Sequence, residues 1–300
     1  MSASSGMYDK IFDAVIVGGG PAGVSCAVWL SRLGFAPVLV EAAGEPGGLC
    51  RSHSYMDEWN ASLPGMTGTQ VADNLAHSLH LADVPLRLSC RVDRIDADAQ
   101  GFTVHVHGLD AQPLRGRSVV LASGVLPRGR AQFAGLAGVL VGPGAHVSDH
   151  DFHGKSVAVL GGGDNGFENA LYVLDHGAKS VDLYARTVRA QRQFVQQLPR
   201  SAIHVGEYAV DGARRSVNGA KYDLLMVFYG WEPCADYAES LGLRRNAQGF
   251  IATDTQTAQT SHPGVYAIGE VAQRQHPCVV TALADGVTAA KAIQARLEAA

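Results

Sequence analysis

The sequence contains no apolar run approaching the ~18 residues that cross a bilayer, so no membrane-spanning helix is expected. Its start, MSASSGMYDKIFD, has no charged segment leading into an apolar stretch, which argues against a secretion signal and for the cytoplasm. Charge of one sign is also missing. With 24 Lys and Arg against 28 Asp and Glu, the net charge is −4 and the basic residues are scattered, so neither nucleic acid nor a membrane surface is an expected partner. Cysteine is sparse. Cys26, Cys50, Cys90, Cys234 and Cys278 form no CxxC pair and no metal-ligand spacing, so no metal is expected and the thiols read as free in a reducing compartment. Asn60-Ala61-Ser62 matches a glycosylation sequon, which without a secretory route is coincidental. What the chain does have is 300 residues, enough for about two domains, a 47% hydrophobic content and 35 glycines.

The glycines gather in two loops of the same design. Asp13 to Val17 reads as a buried parallel strand, followed by Gly18, Gly20 and Gly23 in GxGxxG register and then the helix-compatible VSCAVWLSRLG. In such a loop Gly18 permits the tight turn, Gly20 lets a pyrophosphate reach the backbone, and Gly23 lets helix and strand pack closely. Pro21 and Ala22 open the helix, whose free amides and positive dipole end suit phosphate. A second strand, Pro37 to Val40, ends in Glu41, placed to accept hydrogen bonds from a ribose diol.

The second loop follows the strand Ser156 to Leu160. Gly161, Gly163 and Gly166, with Asp164 and Asn165 between them, lead into the helical stretch FENALYVLDHG, and Lys179 to Tyr184 forms the next strand. Here no acid stands in Glu41's place. That place falls on Ala185 or Arg186, and Arg189 and Arg192 follow. Guanidinium groups without an acid suit a ribose 2′-phosphate, which favours NADPH over NADH. Asp182 is the ribose acid if the strand register differs. Two loops therefore imply two dinucleotides, FAD at the acidic site and NADPH at the basic one.

Several motifs in order extend this reading: GGGPAG at 18–23 with Glu41, EPGG at 45–48, LASG at 121–124, FHGKSVAVLGGGDNG at 152–166, FYGWEP at 228–233 and GVYAIGEV at 264–271. Together they resemble the flavoproteins that include low-molecular-weight thioredoxin reductases and bacterial-type ferredoxin–NADP reductases. The resemblance implies an α/β fold of two Rossmann-like domains, each of three-layer ββα type, and commonly a homodimer. The pyridine-nucleotide domain (126–247) would be inserted into a split FAD domain (8–125 and 248–300). It adds Gly48, Ala122, Gly124, Gly269, Glu270, Cys278 and Val279 to the FAD site. It also implies that the helix read in CVVTALADGVTAAKAIQARL points its N-terminus at the flavin pyrimidine ring. Glu270 stands where the family usually has aspartate.

Thioredoxin reductases of this type carry a CxxC just before the second nucleotide strand. The corresponding stretch here, GPGAHVSDHDFHGK, has no cysteine, which excludes an internal disulfide relay. His146, His150 and His153, with Asp149 and Asp151, read as a polar interdomain loop, a proton donor near the flavin or a metal cluster. No catalytic residue is assigned; Cys50, Cys278 and His150 are the candidates, and the usual partner of Cys50 in larger disulfide reductases is replaced by Tyr55. The favoured function is an NADPH-dependent flavoprotein passing electrons through FAD to an external acceptor protein or small molecule, most like a ferredoxin or flavodoxin reductase. The alternatives are a low-molecular-weight disulfide reductase working through one thiol, a flavin monooxygenase, and a non-catalytic FAD redox sensor.

Overall fold

The computed structural model describes residues 10–52 and 56–299; Tyr55 lies outside them. The chain divides into two compact units, one of residues up to Val125 and from Pro233 onward, the other Leu126–Glu232.

In the first unit, strands Ala14–Val17, Pro37–Val40, Leu86–Arg87, Val119–Leu121 and Val265–Ala267 form a five-stranded parallel sheet, with Ala14–Val17 at its centre. The short apolar strands are buried on both faces, as parallel strands must be. Alternation then sorts the side chains. Ala14 and Ile16 join a core with Ala22, Leu30, Leu75 and Ala289 from helices Pro21–Arg32, Gly68–Leu81 and Val279–Glu298. Val15 and Val17 join the opposite core, built with Ile95, Phe102, Val104 and Leu114 of an antiparallel sheet. Helices, parallel sheet and antiparallel sheet are the three layers expected. Helix Gly68–Leu81 starts at a capping box, in which the Gln70 N–H donates to Thr67 Oγ1 (3.3 Å) and the Thr67 N–H to Gln70 Oε1 (2.8 Å).

The long helix Val279–Glu298 lies tightly on Pro21–Arg32. A Cβ on Gly286 would stand 2.5 Å from the Ala22 carbonyl oxygen, so only glycine allows the approach, and Ser25 Oγ donates to the Leu283 carbonyl (2.7 Å).

The second unit repeats the plan with strands Val139–Val141, Leu224–Val227, Ser156–Leu160, Ser180–Ala185 and Ile203–Val205, all parallel and in that order. Val157, Val159, Leu183 and Met226 pack with Phe167 and Ala170 of helix Asp164–Asp175. Ala158, Leu160, Tyr184 and Leu225 pack on the other face with Phe133, Val217 and Tyr222.

The return to the first unit falls at Glu232/Pro233, earlier than the residue 247 expected from the sequence. The reason is burial: Ala235, Ala238 and Leu241 sit in the first unit's core. No helix among the described residues is long and apolar enough to cross a membrane.

Candidate functional site

Each glycine loop is held by backbone contact that excludes a side chain. Gly18 adopts φ 109°, and a Cβ there would lie 2.4 Å from the Ala122 carbonyl oxygen; a Cβ on Gly23 would lie 2.0 Å from the Gly18 carbonyl oxygen. Gly20 differs. It is the N-cap of helix Pro21–Arg32 in ordinary extended geometry, with no side-chain cap, and a Cβ there would meet only the Gly48 Cα at 3.9 Å. The space above Gly20 is open, and a helix N-terminus carries amides with no acceptor inside the helix.

Glu41 closes the loop. Its carboxylate accepts from the Gly19 N–H (2.6 Å) and the Ala43 N–H (2.7 Å), leaving further lone pairs on both oxygens for a diol. The 45–48 segment is stitched to the same loop: the Gly47 N–H donates to the Gly19 carbonyl (2.7 Å), and a Cβ on Gly48 would stand 2.9 Å from Gly20 Cα. Gly124 sits in the left-handed region (φ 67°), and a Cβ there would find nothing within 4 Å. Beside it, Ser123 Oγ donates to the Cys234 carbonyl and shares a 2.8 Å hydrogen bond with the Tyr237 hydroxyl.

The Gly269–Glu270 turn has a support that sequence reasoning missed. The Gly269 N–H donates to Asp285 (3.0 Å), and Asp285 pairs with Arg274 (2.9 Å), both side chains being over nine-tenths buried. Arg274 also donates to the Thr255 carbonyl. The signal that could have found it is an acid, Asp285, in the middle of an alanine-rich apolar helix. Burial pushes the Glu270 carboxyl above the ordinary carboxylate range. Cys278 is the N-cap of helix Val279–Glu298, its N–H donating to Thr281 Oγ1 (3.3 Å), and Val279 is the first helical residue.

In the second loop, Cβ atoms on Gly161 and Gly166 would strike the Phe228 and Gly161 carbonyl oxygens at 2.2 and 2.4 Å, while at Gly163 nothing lies within 4 Å. Asp164 is not free: it accepts from the Gln191 N–H (2.7 Å) and Nε2 (3.1 Å). The Asn165 carbonyl accepts from Asn169 Nδ2 (2.8 Å).

Strand register settles what replaces Glu41. Val17 pairs with Val40 and Leu160 with Tyr184; the Gly18 N–H donates to Val40 and the Gly161 N–H to Tyr184. Ala185 therefore holds Glu41's place. Asp182 is excluded as a ribose acid, because it lies inside the strand and is occupied by His204 (2.9 Å) and the Tyr222 hydroxyl (3.0 Å). Arg186, Arg189 and Arg192 are exposed, and their side chains have no hydrogen bond or ion pair among the described residues. The Arg189 and Ala190 N–H groups bond back to the Gly162 carbonyl (2.7 and 3.0 Å), bringing this segment to the loop.

The thiol and histidine candidates fare differently. Burial, with Asp57 and Glu270 nearby, pushes the Cys50 thiol up to about 11, so the protonated form dominates at neutral pH. Cys26 and Cys90 are buried, as expected of packing residues. Burial and Lys155 push the His150 pKa down; its ring lies 5.4 Å from Phe152, and Nε2 has no partner. Among the described residues no three His, Cys, Asp or Glu side chains are grouped to hold a metal, His146, His150 and His153 included.

Two α/β units, each with a glycine loop between its first strand and helix, are the plan of a protein with two dinucleotide-binding domains. A model of the pyridine nucleotide-disulphide oxidoreductase family matches residues 12–286, and the chain belongs to that family. It is 25% identical over 311 residues to thioredoxin reductase of Bacillus subtilis, covering 97% of this chain and 96% of that one. It is 25% identical over 290 residues to ferredoxin–NADP reductase of Leuconostoc mesenteroides, covering 87% and 84%. The solved thioredoxin reductase of Lactococcus lactis shares the fold, with a TM-score of 0.81, 24% identity and coverage of 96% and 100%. Members of these families use FAD and NADPH.

Two outcomes follow from this geometry. Gly20→Val is expected to leave the unfolding midpoint close to wild type, because the position is open, yet to give colourless protein; a yellow variant after purification would refute the cradle at Gly20. Alkylation of Cys50 by iodoacetamide, followed by peptide mapping, is expected to accelerate about tenfold per pH unit from neutrality toward pH 10. A rate already at its plateau at pH 7 would mean an activated thiol.

Proposed function

We propose that the first unit holds FAD, the second holds NADPH, and electrons leave for an external acceptor without passing through a disulfide of this chain. The observation that carries the reading is the second loop: an alanine where the first has Glu41, flanked by arginines with no partner among the described residues, in a sequence with no CxxC. Bound together, the two cofactors supply hydride transfer from nicotinamide to flavin and release of the electrons from it.

The residues supply binding and placement. Gly18, Gly20 and Gly23 admit the FAD pyrophosphate to the backbone, and Glu41 takes the ribose diol. The Arg274–Asp285 pair fixes the turn that carries Glu270, and the N-terminus of the helix that starts at Val279 would favour negative charge on a flavin ring held before it. Gly161, Gly163 and Gly166 repeat the cradle for NADPH, and Arg186 and Arg189 pair with its 2′-phosphate.

A ferredoxin-like or flavodoxin-like acceptor is supported by the FxGKxVxVxGGGD pattern at 152–164 and by the ferredoxin–NADP reductase relative. The single-thiol alternative is weakened by the protonated state of Cys50. A homodimer in the cytoplasm belongs to the same proposal.

The test is NADPH-driven cytochrome c reduction with and without added ferredoxin. We expect the rate to depend on ferredoxin. In Arg186→Ala/Arg189→Ala, KM for NADPH should rise about tenfold or more while KM for NADH stays put, as expected when charged contacts worth ~1–3 kcal/mol are lost. An equal loss for both nucleotides would reject the 2′-phosphate assignment.

A further inference from the structure

The second glycine loop carries a carboxylate where the first carries none. In the first unit the loop's helix begins Gly20–Pro21, and in the second it begins Gly163–Asp164. An acid in a first turn suits the helix dipole, but it stands beside the amides that would bind a nucleotide's phosphates, and its charge opposes theirs. The closing acid has changed sides between the units. Glu41 reaches from beyond the second strand back to the Gly19 N–H of its loop (2.6 Å). Asp164 reaches from the start of the helix out to Gln191, beyond the second strand of its own unit.

Gln191 meets it with two donors. Its N–H bonds to Oδ1 (2.7 Å) and its Nε2 to Oδ2 (3.1 Å), so each carboxylate oxygen holds the same residue. That residue ends a short arm. Arg186, Thr187, Val188 and Arg189 are all exposed, between Ala185, buried at the end of its strand, and the half-buried Ala190. The arm lies hard against the loop. Its Arg189 and Ala190 N–H groups share the Gly162 carbonyl, and a Cβ on Gly162 would stand 2.1 Å from the Thr187 carbonyl oxygen. Gln191 is also the N-cap of helix Arg192–Gln197. Its bonds to Asp164 therefore fix both where the arm ends and where the helix that carries Arg192 starts. The three arginine side chains have no hydrogen bond or ion pair among the described residues, so their placement comes from the backbone that bears them.

We propose that Asp164 and Gln191 are positioning residues for nucleotide discrimination. Their two-bond latch holds the arginine-bearing arm against the phosphate loop, and so sets the reach from the loop to the cations that select a ribose 2′-phosphate. This rests on the NADPH reading of the second loop and deepens it. Asp164 acts through the arm rather than on the ligand. By charge it opposes an anion, by placement it favours one, and the two effects have opposite signs when the carboxylate is removed.

The experiment is calorimetric binding of adenosine 2′,5′-bisphosphate and of 5′-AMP to the full flavin-loaded chain, which needs no turnover. Wild type is expected to prefer the bisphosphate. Asp164→Ala removes both bonds and is expected to weaken the bisphosphate about tenfold, as for lost hydrogen bonds to a charged group, while 5′-AMP binds no more weakly than to wild type. Gln191→Ala, which keeps the backbone donor, should act in the same direction by less. Asp164→Asn, which keeps an oxygen for the Gln191 N–H, should retain most of the preference. Without ligand, amide exchange at Arg189 and Ala190 should accelerate in Asp164→Ala. If Asp164→Ala keeps the wild-type preference, whether both ligands bind unchanged or both bind tighter, or if its exchange is as slow as in wild type, the inference is overturned while the arginine site stands. If wild type shows no preference, the NADPH reading falls and the inference with it.

Discussion

A carbonyl oxygen placed where a side chain would begin is the constraint on which both units depend. Gly18 and Gly23 approach so closely that a Cβ on the second would lie 2.0 Å from the oxygen of the first, and Gly161 and Gly166 repeat the contact at 2.4 Å. That approach lets each helix start directly against the carboxyl edge of its sheet and point its first amides outward. The middle glycines, Gly20 and Gly163, have open space above them. Glycine is required at the outer positions by the fold, while at the middle ones the fold leaves room for a side chain.

From this shared base the two sites diverge within a few residues. Three carboxyl groups belong to the loops and turns of the first unit: Glu41 accepts from the loop amides, Glu270 is raised by burial, and Asp285 pairs with Arg274. Burial, with Asp57 and Glu270 nearby, pushes the Cys50 thiol up to about 11. In the second unit the place of Glu41 is given to alanine, the loop's own Asp164 is held by Gln191, and Asp182 is turned to a structural task with Tyr222 and His204. Arg186, Arg189 and Arg192 follow that position, exposed, their side chains without a hydrogen bond or ion pair among the described residues.

The elements that position the sites were legible in the sequence because their signals are local. The strands Pro37–Val40 and Ser156–Leu160 have the expected bounds and the helix Val279–Glu298 lies within one residue of its expected ones, being apolar runs or an alanine-rich amphipathic stretch bounded by glycine or proline. What depended on distant partners was not legible. Residues 233–247 read as a continuation of the inserted domain, and only the burial of Ala235, Ala238 and Leu241 in the first unit's core assigns them. The Asp182 ambiguity needed strand register. The Arg274–Asp285 and Tyr184–Tyr222 pairs join residues whose separation in the chain carries no periodic signal.

The account's central claim is that reducing equivalents enter from a nucleotide in the second unit and reach a flavin held in the first. Anaerobic titration of the purified yellow protein with NADPH, followed in the visible spectrum, tests it most directly. The account predicts that the oxidised flavin band bleaches with about one NADPH per flavin, and that no further equivalent is consumed by a disulfide. Protein that holds no flavin after reconstitution, or flavin that stays oxidised in excess NADPH, would contradict it.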